Sequence, residues 1–248
     1  MPFGAWGTHT PALGVNPHAM SDLESESFFE NDWDDRGDVA WNEFDWERYL
    51  RCQDDLLHRY LAFYESLKNH PERIDEVAHL MGWDTAPRQA EPLEEAQAAA
   101  NANLNLPAPV SDQGFEPYTV HRNPVYIATK AIFLSLKRSW ERIADDGAKI
   151  PQPLALAMQT SLFRAEEQAT LGIQALDLGD FAMAVSLFKR ALRELNETLA
   201  LAGRSDVSRH FADWRETNLP RVFDLREIWL RVINECRHEL GRRVDNET

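Results

Sequence analysis

Two Glu-x-x-His units are the first pattern in this chain with a recognisable chemistry. They are Glu76-Val-Ala-His79 and Glu235-Cys-Arg-His238. Di-iron carboxylate bundles use two such units, together with two further glutamates, and all of these side chains point inward. At about 100° per residue, His79 and His238 fall well off the apolar faces of their helices. The pattern therefore favours polar pairs on the surface and predicts no metal site.

The two cysteines, Cys52 and Cys236, are the candidate thiol nucleophiles. Both lie in helical patterns, and neither follows a Gly-rich turn. Cys236 belongs to an apolar stripe, where a free cysteine usually behaves as a small hydrophobic side chain. The chain also lacks the phosphate-binding loop, the dinucleotide fingerprint, the zinc-protease motif and the nucleophile elbow. The sequence therefore predicts no catalytic residue and no cofactor.

Charge is distributed unevenly along the 248 residues, whose net charge is −15. Residues 1–124 contain 8 basic and 23 acidic residues, whereas residues 125–248 contain 18 of each. An acidic surface disfavours direct nucleic-acid binding, because phosphates repel it. Residues 1–16 lack the basic start of a secretory signal, and two free thiols suit a reducing compartment, so we expect a cytoplasmic protein. No apolar run approaches the length of a membrane span.

The sequence of residues 1–44 predicts an irregular acidic arm, and it contains large aromatic side chains. A purely solvating tail gains nothing from such side chains. We therefore expect the arm to dock, either on a partner or on the chain's own helices, through Phe28, Phe29, Trp33 and Trp41. The alternative is that these aromatic residues start the first helix early and join the core.

Apolar spacings of three and four residues predict helices over most of the remaining chain. Asp45 is the expected N-cap of the first helix, and Gly82 is the expected end of the second. The second half reads as a series of helices opened by Pro124 and Pro153. It ends in a short helix around Trp214 and a last helix capped by Asn218. No strand alternation is found, so the sequence predicts an all-α bundle of four or more long helices.

One hairpin, at about residues 165–198, resembles a single tetratricopeptide repeat. The matching residues are Leu171-Gly172, Gly179-Asp180-Phe181, Ala184, Phe188 and Ala191-Leu192. In that family the small residues allow two antiparallel helices to approach closely. The pattern departs at Gln168 and Glu197 and does not recur one period away, so no array is expected. The resemblance implies a protein-interaction fold and assigns no catalytic residue.

The last helix is rich in arginine, and Arg226 and Arg237 fall close to one of its faces. Neighbouring acidic residues favour an ion-paired face, and the alternative is a docking strip for an acidic segment. We assign four regions: the arm at 1–44, a helical segment at 45–83 that packs on the bundle, a connector at 84–124, and the bundle core at 125–248.

Taken together, these patterns predict a non-enzymatic interaction or scaffolding protein with a protein partner. Two alternatives stay open. One is a metal-binding helical-bundle enzyme, which rests on the two Glu-x-x-His units. The other is an acidic decoy that occupies a nucleic-acid-binding protein, which rests on the charge of the first half.

Overall fold

The structure is a computed structural model that describes residues 41–83, 104, 119–204 and 208–247. These residues form six α-helices and one short 3-10 helix at Val120–Arg122, with no strand among them. In chain order the helices are α1 (Glu43–Ser66), α2 (Arg73–Leu80), α3 (Pro124–Ala144), α4 (Gln152–Asp177), α5 (Phe181–Ala202) and α6 (Arg209–Glu247). The predicted all-α bundle is confirmed.

Local signals explain several of the helix ends. The Asn123 side chain accepts from the N–H of Val125 at 2.9 Å, and Pro124 stands at the first helical position of α3. Gly82 and Gly179 adopt positive φ angles of 77° and 74° after α2 and α4, where a side chain would be strained. The expectation for Asp45 is wrong, because α1 begins at Glu43 and the side chain of Asn42 accepts from the N–H of Phe44.

The largest difference between the predicted and the observed helices concerns α6. Asn218 does not start a new helix, because α6 runs without a break from Arg209 to Glu247 with Pro220 inside it. A proline in a helix interior costs about 3 kcal/mol. Here one buried stripe continues across it, since Phe211 and Trp214 before Pro220 lie in the same core as the apolar residues after it. Packing along the whole helix outweighs the local penalty.

Aromatic side chains fill the centre of the bundle. Trp140, Phe188 and Trp229 are fully buried, as their positions on apolar stripes predict. The ring of Trp229 lies 6.0 Å from that of Phe133 and 6.4 Å from that of Phe188. Its indole N–H donates to the Thr129 hydroxyl at 3.2 Å, which satisfies the polar atom of this buried side chain. Helices α3, α5 and α6 therefore meet at Trp229.

Three arginine–carboxylate pairs join α1 and α2 to α6. Arg73 donates to both oxygens of Asp224, at 2.5 and 2.7 Å, and Arg221 donates to both oxygens of Glu65 at 2.7 Å. The third pair joins Arg231 to Asp75 on the surface. Arg73 and Asp224 are mostly buried, and Asp224 also accepts from the Tyr64 hydroxyl. Each pair links residues about 150 positions apart in the chain.

We expect residues 1–84 to be unable to fold alone, because they would lose these partners on α6 and the core around Tyr60 and Tyr64. A segment of this size buries little surface by itself. Circular dichroism of the isolated 1–84 fragment should show little helix and no cooperative melt. A cooperative melt would instead make residues 45–83 an independent domain.

Burial raises the pKa of the Tyr60 and Tyr64 hydroxyls above the ordinary value of 10.0, and the Asp224 charge raises both further. The folded chain therefore keeps these protons at a pH where the unfolded chain loses them. Stability should be fully present below pH 10 and should fall as the pH rises further. Urea unfolding measured between about pH 8 and pH 11 checks this expectation.

The Tyr60→Phe variant provides the control for this pH dependence. The Tyr60 hydroxyl is buried and has no hydrogen-bond partner among the described residues, so its removal should cost little at neutral pH. The alkaline loss of stability should become shallower in this variant. An unchanged alkaline slope would show that the Tyr60 hydroxyl does not contribute to it.

Candidate interaction surface

The residues that the sequence assigns to docking are only partly described by the structure. Phe28, Phe29 and Trp33 lie outside the described residues, so their assignment stays a prediction. Trp41 is half-buried. Arg226 and Arg237 are exposed on α6, and neither forms an ion pair with another described residue. The docking strip proposed for α6 thus has two exposed cations that no other described side chain neutralises.

The arginines around them are engaged elsewhere. Arg231 pairs with Glu227 on its own helix and with Asp75 on α2, and Arg242 pairs with Glu239. Arg221 is bound to Glu65 on α1. Some arginines of α6 therefore pair with neighbouring turns of their own helix, as an ion-paired face requires, and others pair with carboxylates on α1 and α2.

The two Glu-x-x-His units lie at the surface. His79 and His238 are exposed, as the helical projection predicts, and so are Glu76 and Glu235. Within the described ranges, no group of three or more His, Cys, Asp or Glu side chains is arranged to hold a metal ion. Cys236 is buried, and burial raises the pKa of its thiol, which disfavours the reactive thiolate.

A cleft of about 380 Å³ opens between α1, α2 and α6. Lys68, Arg73 and Arg221 line it, which would suit an anionic ligand. However, Arg73 already donates to both carboxylate oxygens of Asp224, and Arg221 donates to both carboxylate oxygens of Glu65. The cleft is therefore the outer edge of the junction between these helices, and its charges stabilise the junction.

Helix α4 has apolar side chains on two opposite faces. Its inner face is buried in the bundle and consists of Leu154, Met158, Leu162, Ala165, Ala169 and Ile173. On the opposite face, about 180° away around the helix, four large side chains are exposed. We call these four the outer stripe: Leu156 (69% exposed), Phe163 (56%), Leu171 (42%) and Leu178 (86%), which is the C-cap residue.

The outer stripe is straight and long. Its spacings of seven, eight and seven residues keep the four side chains within an arc of about 80°, over a length of about 33 Å. The polar residues Thr160, Glu167 and Gln174 lie between them on the same face. Single exposed apolar residues are normal on a protein surface, whereas these four recur at helical spacing along one face, which is the pattern of anchors that a partner helix contacts.

An apolar recess adjoins the outer stripe at its first residue. It has a volume of about 600 Å³ and lies between the end of α3 and the start of α4. Its lining consists of Trp140, Ala144, Gln152, Pro153, Ala155, Leu156 and Gln159. At the other end of the stripe, Leu178 projects from the α4–α5 turn, and Met183 in the first turn of α5 is also exposed.

A charged cluster holds the middle of this surface in place. The carboxylate of Glu166 accepts from Lys130 at 3.0 Å and also from Lys137, both on α3. The Lys137 ammonium in turn lies 5.9 Å from the centre of the Phe163 ring, within the range of a cation–π contact. This contact orients the exposed Phe163 ring, so part of its ordering cost is met before any partner binds.

The exposed side chains on and beside the outer stripe are apolar, amide and charged groups. Besides the four apolar side chains, the surface carries the Glu167 carboxylate, the Arg164 guanidinium and the amides of Gln159 and Gln174, and among the described residues no nucleophile is paired with a base there. A row of large apolar side chains on a helix is the complement of a second amphipathic helix.

Comparisons with protein-family models, with curated proteins and with solved structures find no match. Among the helices that the structure describes, none combines the length and the apolar character that crossing a membrane requires.

A search for one apolar face on each helix does not find the outer stripe, because the stripe is a second apolar face of α4. Its signal was nevertheless present: α4 contains more large apolar residues than one face can hold. A second set with helical spacing, offset by half a turn from the first, predicts a helix that is covered on two sides.

Proposed function

We propose that this chain is a non-enzymatic protein-interaction or scaffolding protein that binds an amphipathic helix of a protein partner along the outer stripe of α4. The observation that carries this proposal is the exposure of four aligned large apolar side chains on a helix whose other face lies in the core. The two free cysteines suit a cytoplasmic location, which forms part of the same proposal.

Energetics support a binding role for this surface. Full burial of a leucine or phenylalanine side chain contributes about 1.5–3 kcal/mol relative to exposure. Three of the four side chains stand on α4 itself and Leu178 is its C-cap residue, so little free energy is lost in ordering the backbone on binding. The long bundle below it positions the stripe, since the inner face of α4 packs against α3 and α5.

A comparative capture experiment tests this proposal. Tagged full-length protein, Phe163→Asp and Phe223→Asp would be purified from the native host after nuclease treatment, and the bound proteins quantified. Phe223 is the matched control, because it is 48% exposed on α6 and lies outside the outer stripe. We expect partners bound by the unmodified protein to fall by about tenfold or more with Phe163→Asp and to persist with Phe223→Asp.

The same samples distinguish loss of binding from loss of folding. Phe163 is at the surface, so its replacement should change the free energy of unfolding by less than about 0.5 kcal/mol. Identical partner profiles for all three proteins would contradict the proposal. Nuclease treatment also separates protein partners from contacts through nucleic acid.

A further inference from the structure

The residues of the outer stripe are placed symmetrically about one position. Leu156 lies eleven residues before Glu167 and Leu178 eleven residues after it, while Phe163 and Leu171 lie four residues to either side. A two-fold axis passing near Glu167 would therefore lay α4 antiparallel to α4 of a second copy. Leu156 would then face the copy's Leu178, and Phe163 would face the copy's Leu171.

The two ends of the stripe are complementary in shape. Leu178 has the largest exposed fraction of the large apolar side chains that the structure describes, and it projects from a turn. The other end carries the apolar recess of about 600 Å³ beside Leu156. In the antiparallel arrangement, Leu178 of each copy enters the apolar recess of the other copy, so both recesses are filled.

Charge agrees with the same arrangement. Arg164 and Glu167 are exposed, and neither forms an ion pair with any residue in the described part of the chain. With the axis at Glu167, Arg164 of one copy and Glu167 of the other are offset along the helices by three residues, about 4.5 Å at the helical rise of about 1.5 Å per residue. Arg164 of each copy therefore lies beside Glu167 of the other. These two ion pairs also offset the repulsion between the two Glu167 carboxylates near the axis.

We propose that the partner of the outer stripe is a second copy of this chain, joined through an antiparallel α4–α4 contact with two-fold symmetry. This inference rests on the proposed binding role of the outer stripe. The contact is isologous, because the same surface is used on both subunits, so it closes at the dimer and does not extend into a filament. A helix from another protein, or a segment of this chain at residues 84–118, is the competing occupant.

Sedimentation velocity of the purified full-length chain tests the dimer. We expect a dimer at about 100 μM that dissociates on dilution into the low micromolar range. Leu178→Asp should shift the midpoint of dissociation at least about tenfold higher, and Phe223→Asp should leave it unchanged. A monomer at every concentration would overturn the inference, and so would a dimer that is insensitive to Leu178→Asp.

Charge exchange provides a test that does not depend on removing apolar groups. Arg164→Glu alone and Glu167→Arg alone should each weaken the dimer, since each places like charges together. The double variant, Arg164→Glu with Glu167→Arg, should restore it. Weakening that persists in the double variant would show that these residues do not face each other across the contact.

Cross-linking locates the axis. With a short thiol-specific reagent, the Glu167→Cys variant should form a cross-link between position 167 of one copy and position 167 of the other, because this position lies near the two-fold axis. Leu156→Cys and Leu178→Cys should link only when the two variants are mixed. The unmodified chain, with Cys52 and Cys236, gives the background. Linkage within each single variant at 156 and 178, with none in the mixture, would contradict the antiparallel arrangement.

These experiments separate the inference from the proposed function. If the purified chain is monomeric, yet Phe163→Asp abolishes capture of partners in the host, the outer stripe binds another protein and only the dimer is wrong. If Leu178→Asp or Phe163→Asp unfolds the monomer, the stripe is covered by the chain's own residues and both proposals fail.

Discussion

Replacing Asp224 with alanine is expected to lower the free energy of unfolding by about 3–5 kcal/mol. The carboxylate accepts from the Arg73 guanidinium at two positions and from the Tyr64 hydroxyl, and all three groups are largely buried. Removing it leaves a buried cation and a buried hydroxyl without their partner. Chemical denaturation of the full chain provides the measurement.

Asp213→Ala is the matched control for this variant. Asp213 lies on the same helix, is exposed, and its carboxylate forms no ion pair with a described residue. Its replacement should change stability by less than about 0.5 kcal/mol. A double-mutant cycle with Arg73→Met should show that most of the loss is shared between Arg73 and Asp224. Equal losses in the free energy of unfolding for Asp224→Ala and Asp213→Ala would show that the Arg73–Asp224 pair does not stabilise the contact between α2 and α6.

Replacing Phe188 with alanine is expected to cost about 3–5 kcal/mol, because a fully buried ring is removed from the centre of the bundle. Phe188 contacts Trp229 at a ring separation of 6.4 Å. It also lies against Gly172, where an added Cβ would come within 3.2 Å of the ring. The space left by the ring therefore joins α4, α5 and α6, and a rigid helix contact cannot close it fully.

The control for Phe188→Ala is Phe223→Ala, which removes the same ring from an exposed position on α6. Denaturant unfolding of the two variants should differ by about 2 kcal/mol or more. A loss below about 1 kcal/mol for Phe188→Ala would show that the core closes around the missing ring. It would also weaken the inference that Gly172 is needed for the close approach of α4 to the Phe188 ring.

Local rules predicted most of the helices. Asn123-Pro124 and Gly179-Asp180 carry their own conformational preferences, so the sequence locates these helix boundaries without knowledge of the fold. Pro220 shows where such rules fail. The local preference for a helix start at Asn218 is real, but burial of one continuous face along α6 outweighs it, and that burial depends on contacts distant in sequence.

The candidate surface was harder to predict than the fold. Three residues of α6 pair with distant partners: Arg221 with Glu65, Asp224 with Arg73, and Arg231 with Asp75. No spacing rule connects residues about 150 positions apart in the chain. The outer stripe is a second apolar face of α4, and a prediction of one apolar face for each helix leaves it out. The aromatic residues of the arm and the cations Arg226 and Arg237 stay predictions.

The most direct test of the central claim is site-specific photo-cross-linking in the native host. A photoreactive amino acid would replace Leu171 in the outer stripe or, as the control, Phe223 on α6. We predict that position 171 becomes cross-linked to one discrete protein, either a second copy of the chain or a partner, and that position 223 gives little or no cross-linked product. Equal cross-linking from both positions, or none from 171, would contradict the claim that the outer stripe is a protein-binding surface.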